Sequence, residues 1–184
     1  MTGLDRFIQR YRINKVKPYI PNSSRVLDIG CADGSLFRHL RFLKEGVGID
    51  PDVTDAQSVP NAKLYKGFFP EALPNASLFD VITLLAILEH LPGDAQKQLA
   101  RNCYFYLKPG GRVIITVPSP AVDNILDILI AMRLVDGMHA EQHYGFDVSG
   151  TPSLFEAAGF RTMRQKKFQM GLNNLFVFEK PGQE

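Results

Sequence analysis

The sequence predicts an α/β fold built on a doubly wound, mostly parallel sheet. An apolar run at 26–29 has the composition of a strand buried on both faces, and a glycine turn and a helix expected over 35–44 follow it. A second short strand, 46–49, ends at Asp50, and the apolar run 79–84 is typical of a central parallel strand. Strands that alternate with helices in this way build a parallel sheet.

The composition is that of one soluble domain spanning residues 1–184. Hydrophobic residues make up 45% and charged residues 22% of the chain, both ordinary values. The net charge of +2 is too small to indicate a nucleic-acid partner. The N-terminus lacks the apolar core of a signal peptide, and no run is long enough to cross a membrane. Cys31 and Cys103 lie too far apart for a metal site, so we expect a reduced, cytoplasmic protein without a metal.

The turn at 30–34 predicts a ligand site. Gly30 ends the first strand, and Gly34 and Ser35 begin the helix, which leaves backbone N–H groups free to meet an anionic or polar group. Asp50 follows about 20 positions later, the spacing at which a neighbouring strand offers a carboxylate to ribose hydroxyls. The pattern therefore indicates a nucleoside-containing cofactor.

Residues 26–35, VLDIGCADGS, resemble the first motif of the class I S-adenosylmethionine-dependent methyltransferases. Further segments are similar, in order and spacing, to the family's ribose-binding strand end, its fourth strand and following turn, the turn into its fifth strand and the start of its sixth. These segments are 48–51, 79–82 with 88–92, 107–113 and 158–160. The resemblance implies S-adenosylmethionine as cofactor and a Rossmann-like, seven-stranded sheet with a C-terminal antiparallel hairpin strand.

The resemblance also implies which residues hold the cofactor. Asp28 shapes the turn and meets the cofactor's amino group, while Asp50, with Pro51 beside it, accepts from the ribose hydroxyls. The carbonyl of Leu84 and the neighbouring Leu85 are expected next to the methionine moiety.

Within the turn itself, Gly30 and Gly34 allow close backbone approach. Ala32 replaces the usual glycine, and its methyl group is expected to shift the cofactor slightly. Cys31 is interpreted as a small buried filler rather than a reactive thiol, because nothing near it would activate a thiolate.

After the third strand, many family members place an acidic residue that meets the adenine amino group. Phe68 follows Gly67 at that place here. A ring at Phe68 or Phe69 could lie near the base, and a core aromatic is an equally good interpretation.

The N-terminal segment 1–21 has helical spacing over 4–19, with Leu4, Phe7, Ile8 and Tyr11 on one side. Its basic residues are Arg6, Arg10, Arg12, Lys15 and Lys17. A solvated basic face is the simpler interpretation. The alternative is a helix that covers the cofactor, with Tyr11 in contact with it.

The connection between the second and third strands is too short for a full helix. Too few residues separate Asp50 from a strand at 63–66 for a full crossover helix, so a shortened helix or a loop is expected. A helix over 92–107 follows the fourth strand, a sharp turn at 109–111 precedes the fifth, and the fifth strand spans 113–117.

The C-terminal part closes the sheet. Thr151 and Pro152 read as the N-cap and first residue of a short helix that Gly159 ends. Strands at 161–169 and 174–180 then pair as a hairpin.

Residues 118–150 form an insertion on the substrate side. An apolar helix over 125–135 either lines the pocket or serves as a packing element or dimer contact. The candidates for a general base that deprotonates the acceptor are His90, His139, His143 and Tyr144. His143 is our first choice, and His90 more simply ties its turn together.

Three functions remain open. The first is methyl transfer from S-adenosylmethionine to a small-molecule or lipid-precursor acceptor. The second is a catalytically silent binding or adaptor protein, which Ala32 and Phe68 keep open. A nucleotide-cofactor oxidoreductase is disfavoured because the turn is not Gly-x-Gly-x-x-Gly.

Overall fold

The computed structural model describes residues 3–54, 59–75, 77–119 and 146–182. Within these ranges the strands are β1 Arg25–Ile29, β2 Glu45–Asp50, β3 Ala62–Lys66, β4 Phe79–Leu85, β5 Leu107–Pro118, β6 Arg161–Phe168 and β7 Asn173–Glu179. The helices are α1 Gly3–Val16, α2 Ser35–His39, α3 Gly93–Tyr106 and α4 Thr151–Ala157. Single 3₁₀ turns span Lys17–Tyr19, Leu88–His90 and Val148–Gly150.

The strands form one sheet in the order β3-β2-β1-β4-β5-β7-β6. The first five are parallel, and β7 enters antiparallel between β5 and β6. This confirms the predicted fold and its C-terminal hairpin. Because the carboxyl ends of parallel strands meet at one edge, the ends of β1, β2 and β4 come together there.

The sheet is covered on both faces. On one face, α3 and α4 pack over an aromatic core in which the rings of Phe155 and Phe178 stack with centroids 4.7 Å apart. On the other face, α1 and α2 pack over Val26, Val81 and Ile114. Burial of the strands on both sides explains why they appear in the sequence as nearly continuous apolar runs.

Helix α1 differs from its predicted orientation. Phe7 is 64% exposed, whereas Ile13 and Val16 are buried against the sheet. Three-residue spacing puts Ile13 and Val16 on one side of the helix, and that side is turned away from Phe7. Of the apolar side expected from the sequence, Tyr11 packs at the margin of the same core and Phe7 does not, so the centre of the packed face is at Ile13 and Val16.

Helix α2 is shorter than predicted. It ends at His39 instead of residue 44, because Leu40 adopts a non-helical conformation. Leu40 and Leu43 are both buried, and Lys44 N donates to Ser24 O at 3.0 Å as the chain turns into β2. Packing of these two leucines under the sheet replaces the last helical turns.

Three further boundaries differ in detail. The turn at 109–111 lies within β5 as an irregularity, since the partner of Phe79 is Leu107 but the partner of Val81 is Arg112. Gly150 rather than Thr151 is the N-cap of α4. The described residues of the β2–β3 crossover, 51–54 and 59–61, contain no helix, in keeping with their predicted shortness.

Residues 120–145 lie outside the described part of the chain. The predicted helix over 125–135 and the candidates His139, His143 and Tyr144 fall there. Among the helices that the structure does describe, none has the length and apolar character needed to cross a membrane.

Candidate functional site

A cavity of about 320 Å³ lies at the carboxyl edge of β1, β2 and β4, beside α1. Seven of its lining residues are predicted site residues: Asp28, Gly30, Cys31, Ala32, Asp50, Leu85 and His90. Six are not: Gln9, Arg12, Ile13, Leu36, Ala86 and Ile87. A larger cavity of about 540 Å³ between α3 and α4 contains none of the predicted site residues.

The glycine turn is held in a conformation that favours residues without a side chain. Gly30, Ala32 and Gly34 all have positive φ, of 75°, 45° and 73°. A Cβ on Gly30 would lie 2.1 Å from the Ile87 side chain. The Gly30 N–H donates to Ile49 O at 2.8 Å, which ties the turn to β2.

Asp50 connects the end of β2 to this turn. Its Oδ2 accepts a hydrogen bond from Ala32 N at 2.9 Å, and its Oδ1 accepts one from Asp52 N at 2.8 Å. The turn and Asp50 therefore lie on the same side of the molecule, as a site shared by a nucleoside and a polar tail requires. Each carboxylate oxygen retains a second lone pair for a ligand.

Asp28 lies deeper, near the end of β1. Its side chain is 3% exposed and accepts a hydrogen bond from Thr83 Oγ1 at 2.6 Å. The pKa of Asp28 is raised to about 7: burial is the main cause, the nearby charge of Asp50 adds to the rise, and the Thr83 hydrogen bond acts in the opposite direction. A cationic ligand group in the cavity would favour the ionised carboxylate.

Cys31 lies in the turn but is buried, and its burial raises the pKa of its thiol. A thiol in that state is a poor nucleophile, which supports its interpretation as a filler. Ala32 next to it contributes its backbone N–H to Asp50, so the turn's central hydrogen bond is kept despite the extra methyl group.

Arg12 is a cavity residue that sequence reasoning did not single out. Its Nε is buried and has no hydrogen-bond partner among the described residues. Burial lowers the pKa of the guanidinium, while the charge of Glu89 acts in the opposite direction. A buried N–H donor without an acceptor is costly, so the cavity suits a ligand that carries an anionic oxygen.

A sequence signal for Arg12 exists in the spacing of α1. Gln9 lies three residues before Arg12 and four before Ile13, and all three line the same cavity, with the buried Val16 four residues after Arg12. The basic character of the helix concealed this second, inward-facing stripe.

His90 lines the cavity from the 3₁₀ turn after β4, and its Nε2 lies 4.0 Å from Glu89 Oε1. Glu89 is buried, whereas His90 is partly exposed at the cavity. His90 therefore faces the cavity, and its role in holding the turn stays a prediction.

Other predicted cofactor residues lie outside the cavity lining. Tyr11 is on another side of α1, where its ring stacks on Phe168 with centroids 6.2 Å apart. Leu84 is buried in the core on the α3 side, whereas Leu85 reaches the cavity. Gly34 serves as the N-cap of α2.

The remaining predicted cofactor residues follow strands β2 and β3. Pro51 is exposed in the turn that follows Asp50, and Gly67 N donates to Asp50 O at 3.2 Å. Phe68 is 70% exposed, while Phe69 packs edge to face on Tyr106 at 5.4 Å. Of the two rings, Phe68 is the one still available to a ligand.

The sheet order and the glycine turn joined to Asp50 define a class I S-adenosylmethionine-dependent methyltransferase. The chain belongs to the family described as a methyltransferase domain, whose model matches residues 3–165. This family membership confirms the resemblance on which the predicted fold and cofactor rest.

Individual relatives agree with this family. The chain is 31% identical over 146 residues to the ubiquinone biosynthesis O-methyltransferase of Paraburkholderia phymatum, a match that covers 74% of the chain and 61% of that protein. It is 29% identical over 130 residues to the Colwellia psychrerythraea protein of the same name, covering 62% and 52%. The chain spans about half the length of the curated relatives it matches.

Among solved structures, the N-methyltransferase NodS from Bradyrhizobium japonicum superposes with a TM-score of 0.66 at 15% identity. The match covers 94% of this chain and 96% of NodS. At this identity the likeness establishes the fold alone.

Proposed function

We propose that this chain transfers a methyl group from S-adenosylmethionine to a hydroxyl oxygen of a small-molecule or lipid-precursor acceptor. The observation that carries the proposal is the set of charges around one cavity: the carboxylates of Asp28 and Asp50 and the guanidinium of Arg12. The oxygen acceptor is supported by the names of the curated relatives, which are O-methyltransferases.

The residues of the cavity fit the cofactor's amino-acid moiety. A free amino acid carries one ammonium and one carboxylate, and the cavity offers Asp28 to the first and Arg12 to the second. Asp28 is buried, and the buried Arg12 Nε lacks an acceptor among the described residues. A ligand carboxylate would therefore satisfy a donor that the protein leaves unsatisfied, while the ligand ammonium would pair with Asp28.

Asp50 and Phe68 would hold the nucleoside. The Asp50 carboxylate is fixed by two backbone N–H donors, and it can accept further hydrogen bonds from ribose hydroxyls. The exposed ring of Phe68 offers a flat apolar surface to the base in place of a hydrogen bond.

The bound cofactor supplies an electrophilic methyl group, and the protein contributes proximity, orientation and exclusion of water. A hydroxyl acceptor must lose its proton. Among the described residues His90 provides an imidazole at the cavity, and His143 remains a second prediction for this role.

The test combines a binding and a transfer measurement. Calorimetric titration with S-adenosylmethionine, with NAD as the comparison ligand, reports on the site, and transfer of a radioactive methyl group to hydroxylated and amino acceptors reports on the activity. We expect binding of S-adenosylmethionine alone and label in hydroxylated acceptors.

The other outcomes separate the alternatives. Binding without label in any acceptor would favour the catalytically silent binding protein, and label in amino acceptors alone would contradict oxygen as the acceptor atom. Binding of NAD but not of S-adenosylmethionine would overturn the proposal as a whole.

A further inference from the structure

A row of aromatic and basic side chains runs along α1 on a side that does not face the cavity. Phe7, Tyr11 and Lys15 are spaced by four residues, so they lie on one stripe of the helix. The rings of Phe7 and Tyr11 are 6.4 Å apart, and Lys15 Nζ lies 5.0 Å from the Tyr11 ring centroid. Tyr11 in turn stacks on Phe168, which brings this stripe beside the end of β6.

Strand β6 is an edge strand with a surplus of positive charge. Arg164, Lys166 and Lys167 are exposed, and the strand contains no acidic residue. Arg164 and Lys166 pair with Val177 and Leu175, whose side chains lie under α1, so both cations project on the α1 side of the sheet.

These cations contrast with Arg161 at the start of the strand. Arg161 pairs with Glu179 at 2.7 Å, but the three that follow form no ion pair with any described residue. Because the whole chain carries only +2, the positive charge here is a local concentration rather than a general property.

Two apolar side chains protrude next to this charge. Phe7 is 64% exposed, and Met170, in the β6–β7 turn, is fully exposed. Phe7, Tyr11, Lys15, Arg164, Lys166 and Met170 together are named the α1–β6 patch. Cations beside protruding apolar groups match an anionic bilayer surface, whose headgroups attract the charges and whose acyl boundary takes up the apolar side chains.

We propose that the α1–β6 patch docks this protein on an anionic lipid bilayer. A polyanion such as RNA would also attract the cations, but it offers no apolar phase for Met170. The proposal rests on surface charge and exposure and is independent of the function of the cavity.

The patch lies at the same edge of the sheet as the cavity. Phe168 and Pro118 both pair with Asn173, so the β6–β7 turn is at the carboxyl end of β5. Helix α1 links the two sites, because it carries Arg12 into the cavity and Tyr11 into the patch. A protein docked in this way would receive an acceptor dissolved in the membrane close to its site.

The test is cosedimentation of the full chain with phosphatidylcholine vesicles prepared with and without phosphatidylglycerol. We expect binding only to the anionic vesicles, weakened by added salt. Each neutralised cation should lower the affinity about fivefold, the equivalent of about 1 kcal/mol, so Arg164→Gln combined with Lys166→Gln should lower it about 25-fold.

Matched variants at the opposite edge of the sheet are the control. Lys63→Gln with Lys66→Gln removes the same charge from the exposed positions of β3 and should leave vesicle binding unchanged. Phe7→Ser with Met170→Ser should weaken binding, whereas Phe105→Ser, at a residue 67% exposed on α3, should not.

Several results would overturn the proposal. They are equal binding to neutral vesicles, no binding to either kind, equal losses from the β3 and β6 variants, or tighter binding to an RNA oligonucleotide than to anionic vesicles. Melting temperatures establish that each variant folds, and the salt dependence of the unaltered chain tests the charge argument without any variant.

Discussion

Strands β1 and β2 each bring one aspartate to the same cavity, and the protein holds the two carboxylates in opposite ways. Asp28 is buried, accepts a hydrogen bond from the Thr83 hydroxyl, and has its pKa raised to about 7. Asp50 is partly exposed and accepts hydrogen bonds from two backbone N–H groups. Two backbone donors fix the position of the Asp50 carboxylate, whereas burial raises the pKa of the Asp28 carboxyl group.

The largest effect is expected from Asp50→Ala. The change removes the proposed ribose acceptor and also the hydrogen bond to Ala32 N that shapes the turn, so cofactor affinity should fall at least about 100-fold. Calorimetric titration measures it. Asp52→Ala, at an exposed neighbour, is the control, and an Asp50→Ala affinity close to that of the control would contradict the assigned ribose site.

A smaller loss of cofactor affinity is expected from Asp28→Asn, about 30-fold at pH 8, because one charge-assisted hydrogen bond is lost. Whereas the Asp28→Asn change lowers cofactor affinity, it should raise the free energy of unfolding relative to the unaltered chain as pH rises. Folding raises the pKa of Asp28, so this group's contribution to stability is present below its unfolded pKa of 3.8 and is lost as pH rises through about 7.

The Asn variant has no such group to ionise. Relative to the unaltered chain, it should therefore gain stability between pH 5 and pH 8, which urea unfolding at the two pH values measures. A constant difference between the two proteins would show that Asp28 is ionised throughout this range.

The third prediction concerns pH and the intact chain. If the cofactor's ammonium requires ionised Asp28, affinity should rise about tenfold from pH 6 to pH 8, since a pKa of about 7 gives that change in the ionised fraction. Thr83→Val removes the hydrogen bond that opposes the raised pKa, so it should move the midpoint to higher pH. If cofactor affinity of the unaltered chain did not change between pH 6 and pH 8, the proposed contact between Asp28 and the cofactor's ammonium would be contradicted.

The smallest effect is expected from Ala32→Gly. Ala32 has a φ of 45°, a left-handed conformation that costs a residue with a side chain about 1 kcal/mol. Glycine should raise the free energy of unfolding by at most that amount and change cofactor affinity less than twofold, because the N–H that meets Asp50 is kept. A large loss of affinity would mean that the methyl group itself contacts the ligand.

Local sequence patterns predicted the part of the site that two nearby segments of the chain provide. The run 26–35 and Asp50 predicted a strand, a turn and a carboxylate at one edge, and the structure brings them together. Helix α2 was overestimated because its helical spacing continues through Leu40 and Leu43, while packing under the sheet ends the helix at His39.

The sequence by itself determined the parallel sheet and the meeting of the glycine turn with Asp50, because strand periodicity and turn chemistry act over a few residues, and the family resemblance implied the antiparallel hairpin strand. Only the tertiary structure decided that Arg12 rather than Tyr11 enters the cavity, and that burial raises the pKa of Asp28 to about 7. The rotation of a helix about its axis and the burial of a carboxylate both depend on what packs against them. Those neighbours come from distant parts of the chain, and the local pattern does not contain them.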